Sequence, residues 1–146
     1  MTPEDLHAAV ADRLTGARQR YTRNRRALVD ELRASDTPLT ITEILDRRDG
    51  LAMSTTYRNL TLLEQCGVVD RLAPLPLEEA RFELAEPFLA HHHHLVCTRC
   101  GHVADLAVPD HIEADLHALT ARAAQLEGFT ITGHRLDFLG LCRRCP

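Results

Sequence analysis

Apolar residues recur at helical spacing in the first part of the chain and give way to strand-like runs, and that change of period sets the expected architecture. Leu6, Val10 and Leu14, with alanines between them, predict a helix over residues 4–20 whose end Gly16 weakens. Thr22 is placed to cap a second helix carrying Ala27, Leu28 and Leu32 on one face. Thr40-Ile41-Thr42-Glu43 has the form of a capping box opening a short third helix through Leu45. After Gly50, Ser54 predicts the cap of a fourth helix with Tyr57, Leu60 and Leu63 turned inward, closed by Gly67. Two β-like runs follow, residues 68–72 and 80–84, around a loop holding Pro74 and Pro76. Short helices followed by a hairpin make a winged helix, expected over residues 1–86. The helix over residues 54–66 would then enter the major groove. Its outward Ser54, Thr55, Thr56, Arg58 and Asn59 are types that contact bases and phosphates, although an ordinary amphipathic helix also carries such a face.

Glu86-Pro87 breaks the pattern and reads as a hinge to a second unit, residues 87–146. The run from His91 to Cys97 has no turn signal and predicts a strand, in which successive side chains point to opposite faces. His91 and His93 therefore share one face, and His92 and His94 the other. Val103-Ala104-Asp105-Leu106 precedes Pro109, which opens a helix with Ile112, Leu116, Leu119 and Leu126 on its buried stripe and Glu113 beside it. Gly128 caps that helix. A final strand is expected over residues 129–141, carrying His134 and bulged at Gly133. In an apolar strand His134 reads first as a satisfied core histidine. The whole is α+β: a winged-helix unit, then a small unit of strands flanking one helix. Its open sheet edge invites isologous pairing with a second copy, a homodimer.

At 146 residues the chain makes one domain or two small ones, and its 45% apolar and 26% charged content fits folded globular units. Four Phe, two Tyr and no Trp predict an aliphatic core. With no leader-like or membrane-length apolar run, the expected location is the cytoplasm. The net charge of −4 argues against nucleic acid, but the six arginines from Arg13 to Arg26 are interrupted by no acid. Such a local stripe serves phosphate contact whatever the total, and equally serves as a solvated face. Two Cys-x-x-Cys pairs, Cys97/Cys100 and Cys142/Cys145, form the four-sulfur set that holds tetrahedral Zn²⁺. A metal there would staple the second unit at its ends. Cys66 reads as a small buried hydrophobe, and His7, His102, His111 and His117 as surface residues.

The segments YTRNRRALVDEL (from Tyr21), STTYRNLTLLEQCGVVDRL (from Ser54), RFEL (from Arg81), HHHHLVCTRCGHV (from His91) and GLCRRC (from Gly140) together resemble the ferric uptake regulator superfamily of metal-sensing repressors. The resemblance runs from about Arg20 to Cys145. It implies that Cys97, Cys100, Cys142 and Cys145 form a structural zinc site, and that His91, His93, Glu113 and His134 form a metal site in the dimerisation domain. It further implies a regulatory hinge site of Asp70, Glu83, His92 and His94. Tyr57 and Arg58 match the DNA-contacting pair of the family, and Arg20 stands where a basic residue reaches the minor groove. Two departures bear on the sensed metal. Thr37-Pro38-Leu39 occupies a region where relatives commonly offer histidine, and no cysteine stands in the hinge, where Glu83 is followed by Leu84 and Ala85. The dense histidine run favours Zn²⁺ as the sensed ion and the missing cysteine favours Fe²⁺, while the donors also suit Mn²⁺ and Ni²⁺.

The expected function is a metal-dependent repressor of metal-uptake genes, binding double-stranded DNA at an AT-rich inverted repeat and using no small-molecule substrate. Two alternatives stand beside it. One is a peroxide sensor on the same fold. The other is a small zinc hydrolase, with His91, His93 and Glu113 leaving a position open for water.

Overall fold

The computed structural model describes residues 1–72 and 79–146, so the Pro74/Pro76 loop lies outside the described residues. It forms two compact units, Met1–Ala90 and His91–Pro146. The first unit extends beyond Glu86 because Phe88, only 9% exposed, packs into its core.

The first unit begins with α1 (Pro3–Gly16) and α2 (Arg23–Arg33). Thr2 and Asp5 make a capping box at the start of α1, and the Thr22 hydroxyl accepts from Arg25 N–H at the start of α2. A two-residue strand β1 (Leu39–Thr40), which the pattern did not suggest, leads into α3 (Ile41–Arg47). There the Thr40–Glu43 capping box is present as expected. Arg81 ties this corner down: its Nη1 donates to Glu43 Oε2 at 2.9 Å and to Pro38 O at 3.0 Å. Helix α4 (Met53–Gln65) is capped by the Ala52 backbone with no side-chain bond, so Ser54 lies inside the first turn rather than at the cap. Gly67, with φ +67°, turns the chain out of α4 where a side chain would be strained.

Strands β2 (Val69–Leu72) and β3 (Arg81–Leu84) pair antiparallel, and β1 adds to β3, giving the order β1-β3-β2. Helices and hairpin thus complete a winged helix. Its interior is mainly aliphatic: Leu6, Val10 and Leu14 from α1 meet Leu28 and Val29 from α2, Ile44 from α3 and Leu60 and Leu63 from α4, with Phe82 and Phe88 beside them. One position runs against expectation. His7 is 7% exposed and bonded within this unit, not a surface residue.

The second unit is a three-stranded sheet, β4 (His93–Cys97), β5 (Val103–Leu106) and β6 (Asp137–Gly140), with α5 (Asp110–Glu127) between the last two. The order is β5-β4-β6; β5 is antiparallel to β4 and β6 is parallel to it. The long final strand with its Gly133 bulge is replaced by a shorter one: residues 129–136 are irregular and only Asp137–Gly140 pairs. Pro109 is the N-cap of α5 rather than its first residue, and Gly128 ends it in the left-handed conformation at φ 70°. The apolar stripe on α5 is not buried within the chain: Leu119 is 63% exposed and Leu126 71%. Among the described residues no helix is long and apolar enough to cross a membrane.

Leu60 is fully buried at the centre of the first unit. Leu60→Ala is expected to destabilise that unit by about 2–5 kcal/mol, the range for a buried leucine that leaves a cavity. Urea unfolding followed by far-UV circular dichroism reads it, and a loss under 1 kcal/mol would contradict the burial.

Candidate metal centres and nucleic-acid face

The parallel register of β4 and β6 sets Cys97 opposite Gly140, which brings the turn after β4 beside the turn after β6. Each turn closes on itself. Gly101 N–H donates to Cys97 O at 3.0 Å, and Cys145 N–H to Cys142 O at 2.8 Å. The four sulfurs of Cys97, Cys100, Cys142 and Cys145 consequently lie within 4.8 Å of one another. A tetrahedron with Zn–S bonds of about 2.3 Å places its sulfurs about 3.8 Å apart. Cys100 Sγ and Cys142 Sγ stand at 3.7 Å, so the residues fit the ion. The electrostatics point the same way. Backbone N–H donors, first that of Cys142, lower the Cys97 thiol to about 6, whereas the hydrogen bond to Cys100 pushes Cys145 up to about 12. Four crowded sulfurs share too few protons and too much charge until a cation joins them.

The strand expected from His91 begins only at His93, yet the histidine run still divides into two faces. The His91 and His93 rings lie 4.8 Å apart, and those of His92 and His94 4.9 Å apart. On the first face, Glu113 reaches in from α5. Its Oε1 is 2.6 Å from His93 Nε2, and its Oε2 is 3.4 Å from His91 Nε2 and 3.2 Å from His134 Nε2. The donor atoms of all four residues lie within 4.8 Å of one another. Burial acts to raise the Glu113 carboxyl, but the bond from His93 and the charges of His91, His93 and His134 outweigh it and hold it below its ordinary range. Burial also lowers His91, against the pull of Glu113, and so favours the neutral imidazole that ligates metal. Glu113 Oε2 and His134 Nε2 are buried yet make no hydrogen bond. Atoms of that kind converging on one point fit a divalent cation.

On the second face His92, His94 and Asp105 have donor atoms within 4.8 Å of one another, with His92 Nε2 3.9 Å from Asp105 Oδ1. Asp137 lies 3.3 Å from His94 Nδ1 and fixes that ring. Asp105 and Asp137 escaped the sequence reading. The signal for Asp105 is its position opposite His94 in the β4–β5 register, which exists only once the strands are paired. Asp70 and Glu83 belong to the first unit, directly opposite each other across β2 and β3; Asp70 is exposed and Glu83 is 8% exposed.

The residues expected at DNA divide by burial. Arg20, Ser54, Tyr57 and Arg58 are exposed, with Tyr57 50% exposed instead of turned into the core. Met53, Ser54, Tyr57 and Arg58 line one shallow surface depression at the start of α4. Thr55 is half-buried. Thr56 is fully buried and faces the core, so it cannot serve as an outward contact. Asn59 is half-buried, and its Oδ1 accepts from Arg25 Nε at 3.1 Å.

The profile of the Ferric uptake regulator family matches residues 16–139. The ferric uptake regulation protein of Bacillus subtilis is 36% identical over 118 residues, covering 80% of this chain and 72% of its own. The peroxide-responsive repressor PerR of Staphylococcus saprophyticus is 29% identical over 150 residues, covering 97% and 95%. Among solved structures, the Helicobacter pylori ferric uptake regulator superposes with a TM-score of 0.75 at 21% identity, over 99% of this chain and 94% of its own. The Vibrio cholerae ferric uptake regulator does so with 0.66 at 26% identity, over 88% and 96%. The chain belongs to the ferric uptake regulator family, whose members are metal-responsive, DNA-binding regulators and not enzymes. The hydrolase alternative falls with that, and the position it needs open for water is the one His134 approaches.

Replacing one sulfur removes a corner of the tetrahedron. Cys97→Ser is expected to cost the chain one equivalent of zinc, measured by elemental analysis, and to lower the melting temperature of the second unit. Cys66→Ser, away from the cluster, should keep the metal. Zinc content unchanged in Cys97→Ser would remove the structural role from this cluster.

Proposed function

We propose that this chain is a homodimeric, cytoplasmic repressor that binds an AT-rich inverted repeat when a divalent metal occupies its regulatory site. The observation that carries the reading is the division of one histidine run into two faces, each meeting its own carboxylate. The roles divide accordingly. Cys97, Cys100, Cys142 and Cys145 hold structural Zn²⁺. His91, His93, Glu113 and His134 hold a metal within the dimer domain. His92 and His94 hold the regulatory ion together with Asp105 and with Glu83 or Asp70 from the wing. A cation held there would supply positive charge to offset these carboxylates. Asp70 and Glu83 stand opposite each other in the wing, and like charges so placed repel. A ligand set drawn from two units is complete only in some of their arrangements, so occupancy selects those by its differential affinity. In the dimer the selected arrangement must present the two α4 helices to successive major grooves, about 34 Å apart. The uncovered apolar residues Leu119, Leu126, Phe129 and Leu139, each more than 60% exposed, support pairing with a second copy.

The regulatory donors are nitrogen and oxygen only, which suits Zn²⁺ and Fe²⁺ alike and also Mn²⁺ and Ni²⁺. One observation favours a second reading, the likeness to a peroxide-responsive repressor across nearly the whole chain. With iron bound at the His92/His94 site, peroxide would then oxidise a ligating histidine. Mass spectrometry showing one oxygen added to His92 or His94 after peroxide, in protein loaded anaerobically with Fe²⁺, distinguishes that sensor from a pure metal sensor.

Fluorescence anisotropy of a labelled inverted repeat from upstream of the gene tests the main reading, titrating protein stripped of exchangeable metal with Zn²⁺ and, anaerobically, Fe²⁺. Tight binding in the presence of one ion is expected, and it names that ion. His92→Ala should abolish the metal-dependent part while leaving the melting temperature of the zinc-stapled unit within a few degrees of wild type. DNA binding that is equally strong with and without metal would sink the proposal.

A further inference from the structure

Outside the metal clusters, a dense polar network of the first unit surrounds the connection between α1 and α2, which carries Arg18 and Arg20. The connection is held in one shape. Arg18 N–H donates to Thr15 O at 2.9 Å and Gln19 N–H to Leu14 O at 2.8 Å. Arg18 itself sits at φ 56°, a left-handed conformation that residues other than glycine adopt only when their surroundings impose it. On one side, the Tyr21 hydroxyl lies 2.6 Å from His7 Nδ1 of α1, and His7 Nε2 lies 2.8 Å from Asp30 Oδ1 of α2. Burial pushes the Tyr21 phenol up to about 12, so it remains a hydroxyl. On the other side, Arg25 bonds in two directions. Its Nη1 donates to the Arg20 carbonyl, and its Nε donates to Asn59 Oδ1 on α4 at 3.1 Å.

We infer that Arg25 and Asn59 are positioning residues that fix the Arg20 arm to α4, so that minor-groove and major-groove contacts are made as one rigid unit. The inference rests on the DNA-binding reading. Asn59 is of the type that pairs with adenine, but that pairing uses its amide oxygen and nitrogen together. Here the oxygen is committed to Arg25 and the side chain is half-buried. Arg25 is likewise half-buried, and its planar fork spans two acceptors on different elements, a geometry lysine cannot reproduce. Arg20, by contrast, is exposed, and its backbone carbonyl is held by Arg25. The arm therefore offers an exposed guanidinium on a fixed base. The register between that guanidinium and α4 is set by two hydrogen bonds within the protein.

The test uses metal-loaded, full-length protein and two versions of the same inverted-repeat duplex, one natural and one with 2,6-diaminopurine replacing adenine. That base adds an amine to the minor groove while leaving the purine N7 and N6 groups of the major groove in place. Wild type should bind the modified duplex less tightly, and Arg20→Ala should bind both alike. Arg25→Lys and Asn59→Ala should each lose roughly tenfold in affinity for the natural duplex, the scale of one charge-assisted hydrogen bond, and should also lose the discrimination between duplexes. The double variant should lose little more than either single one, because both break the same link. Melting temperatures near wild type confirm that each variant folds. Three results would overturn the inference: full wild-type binding by Arg25→Lys, which would make Arg25 a simple charge; retained discrimination in both single variants; or additive losses in the double variant. Failure of wild type to bind any duplex under any metal would instead remove the DNA-binding reading on which the inference stands.

Discussion

The second unit depends on a single register, the parallel pairing of β4 with β6 that sets Cys97 against Gly140. Moving that pairing by one residue would turn the strand over and part the two Cys-x-x-Cys turns. The same register, with β5 on the other side, points His93 towards Glu113 and places His94 between Asp105 and Asp137. What is buried shows why metal matters to the fold. The most deeply buried side chains of this unit are His93, His94, Val96, Cys97 and Val103, an interior of two imidazoles, a thiol and two valines. So little apolar surface cannot offset the entropy of ordering a chain of this size. A metal held by these donors would contribute directly to folding, as it does in small units, and would stand in for the missing core.

The first unit is built on the opposite principle. Its core is aliphatic and continuous through all four helices and the hairpin, and its helix starts are locally encoded. That is why so much of it was legible. Thr22 and the Thr40–Glu43 box announce their helices because a cap is a contact between residues three apart, visible in sequence without knowledge of the fold. The alternation that divides His91 and His93 from His92 and His94 is legible for the same reason, since a strand turns each successive residue over.

What escaped the sequence depends on contacts between distant residues. Asp105 becomes a neighbour of the histidines only through strand pairing, and β1 exists only because β3 accepts it. His7 looked like a lone surface histidine because its partners, Tyr21 and Asp30, lie on other elements. Thr56 carries a polar side chain, so pattern alone put it outside; the rotation of α4 puts it inside. The expected strand over residues 129–141 formed only in part for a related reason: alternation gives a strand its faces but not a neighbour to pair with, and only Asp137–Gly140 finds β4. The buried stripe on α5 was read correctly as apolar. It was expected to be buried, yet Leu119 and Leu126 are exposed, because periodicity reports that a face is apolar and not what covers it.

The two units therefore place their rigidity differently, and that difference suits a switch. A helix that reads bases must be held by something indifferent to metal, and the aliphatic core with its Arg25 and His7 bonds provides this without any ion. A sensor must instead change its stability with the ion, and a unit whose interior is largely ligand does so directly. Were the metal donors distributed through the aliphatic core, losing the ion would unfold the reading head. With the four cysteines and the histidine cluster confined to the second unit, each α4 keeps its own shape whether or not an ion is held there. On this view the near absence of an apolar core after His91 is a requirement of sensing rather than a defect of folding.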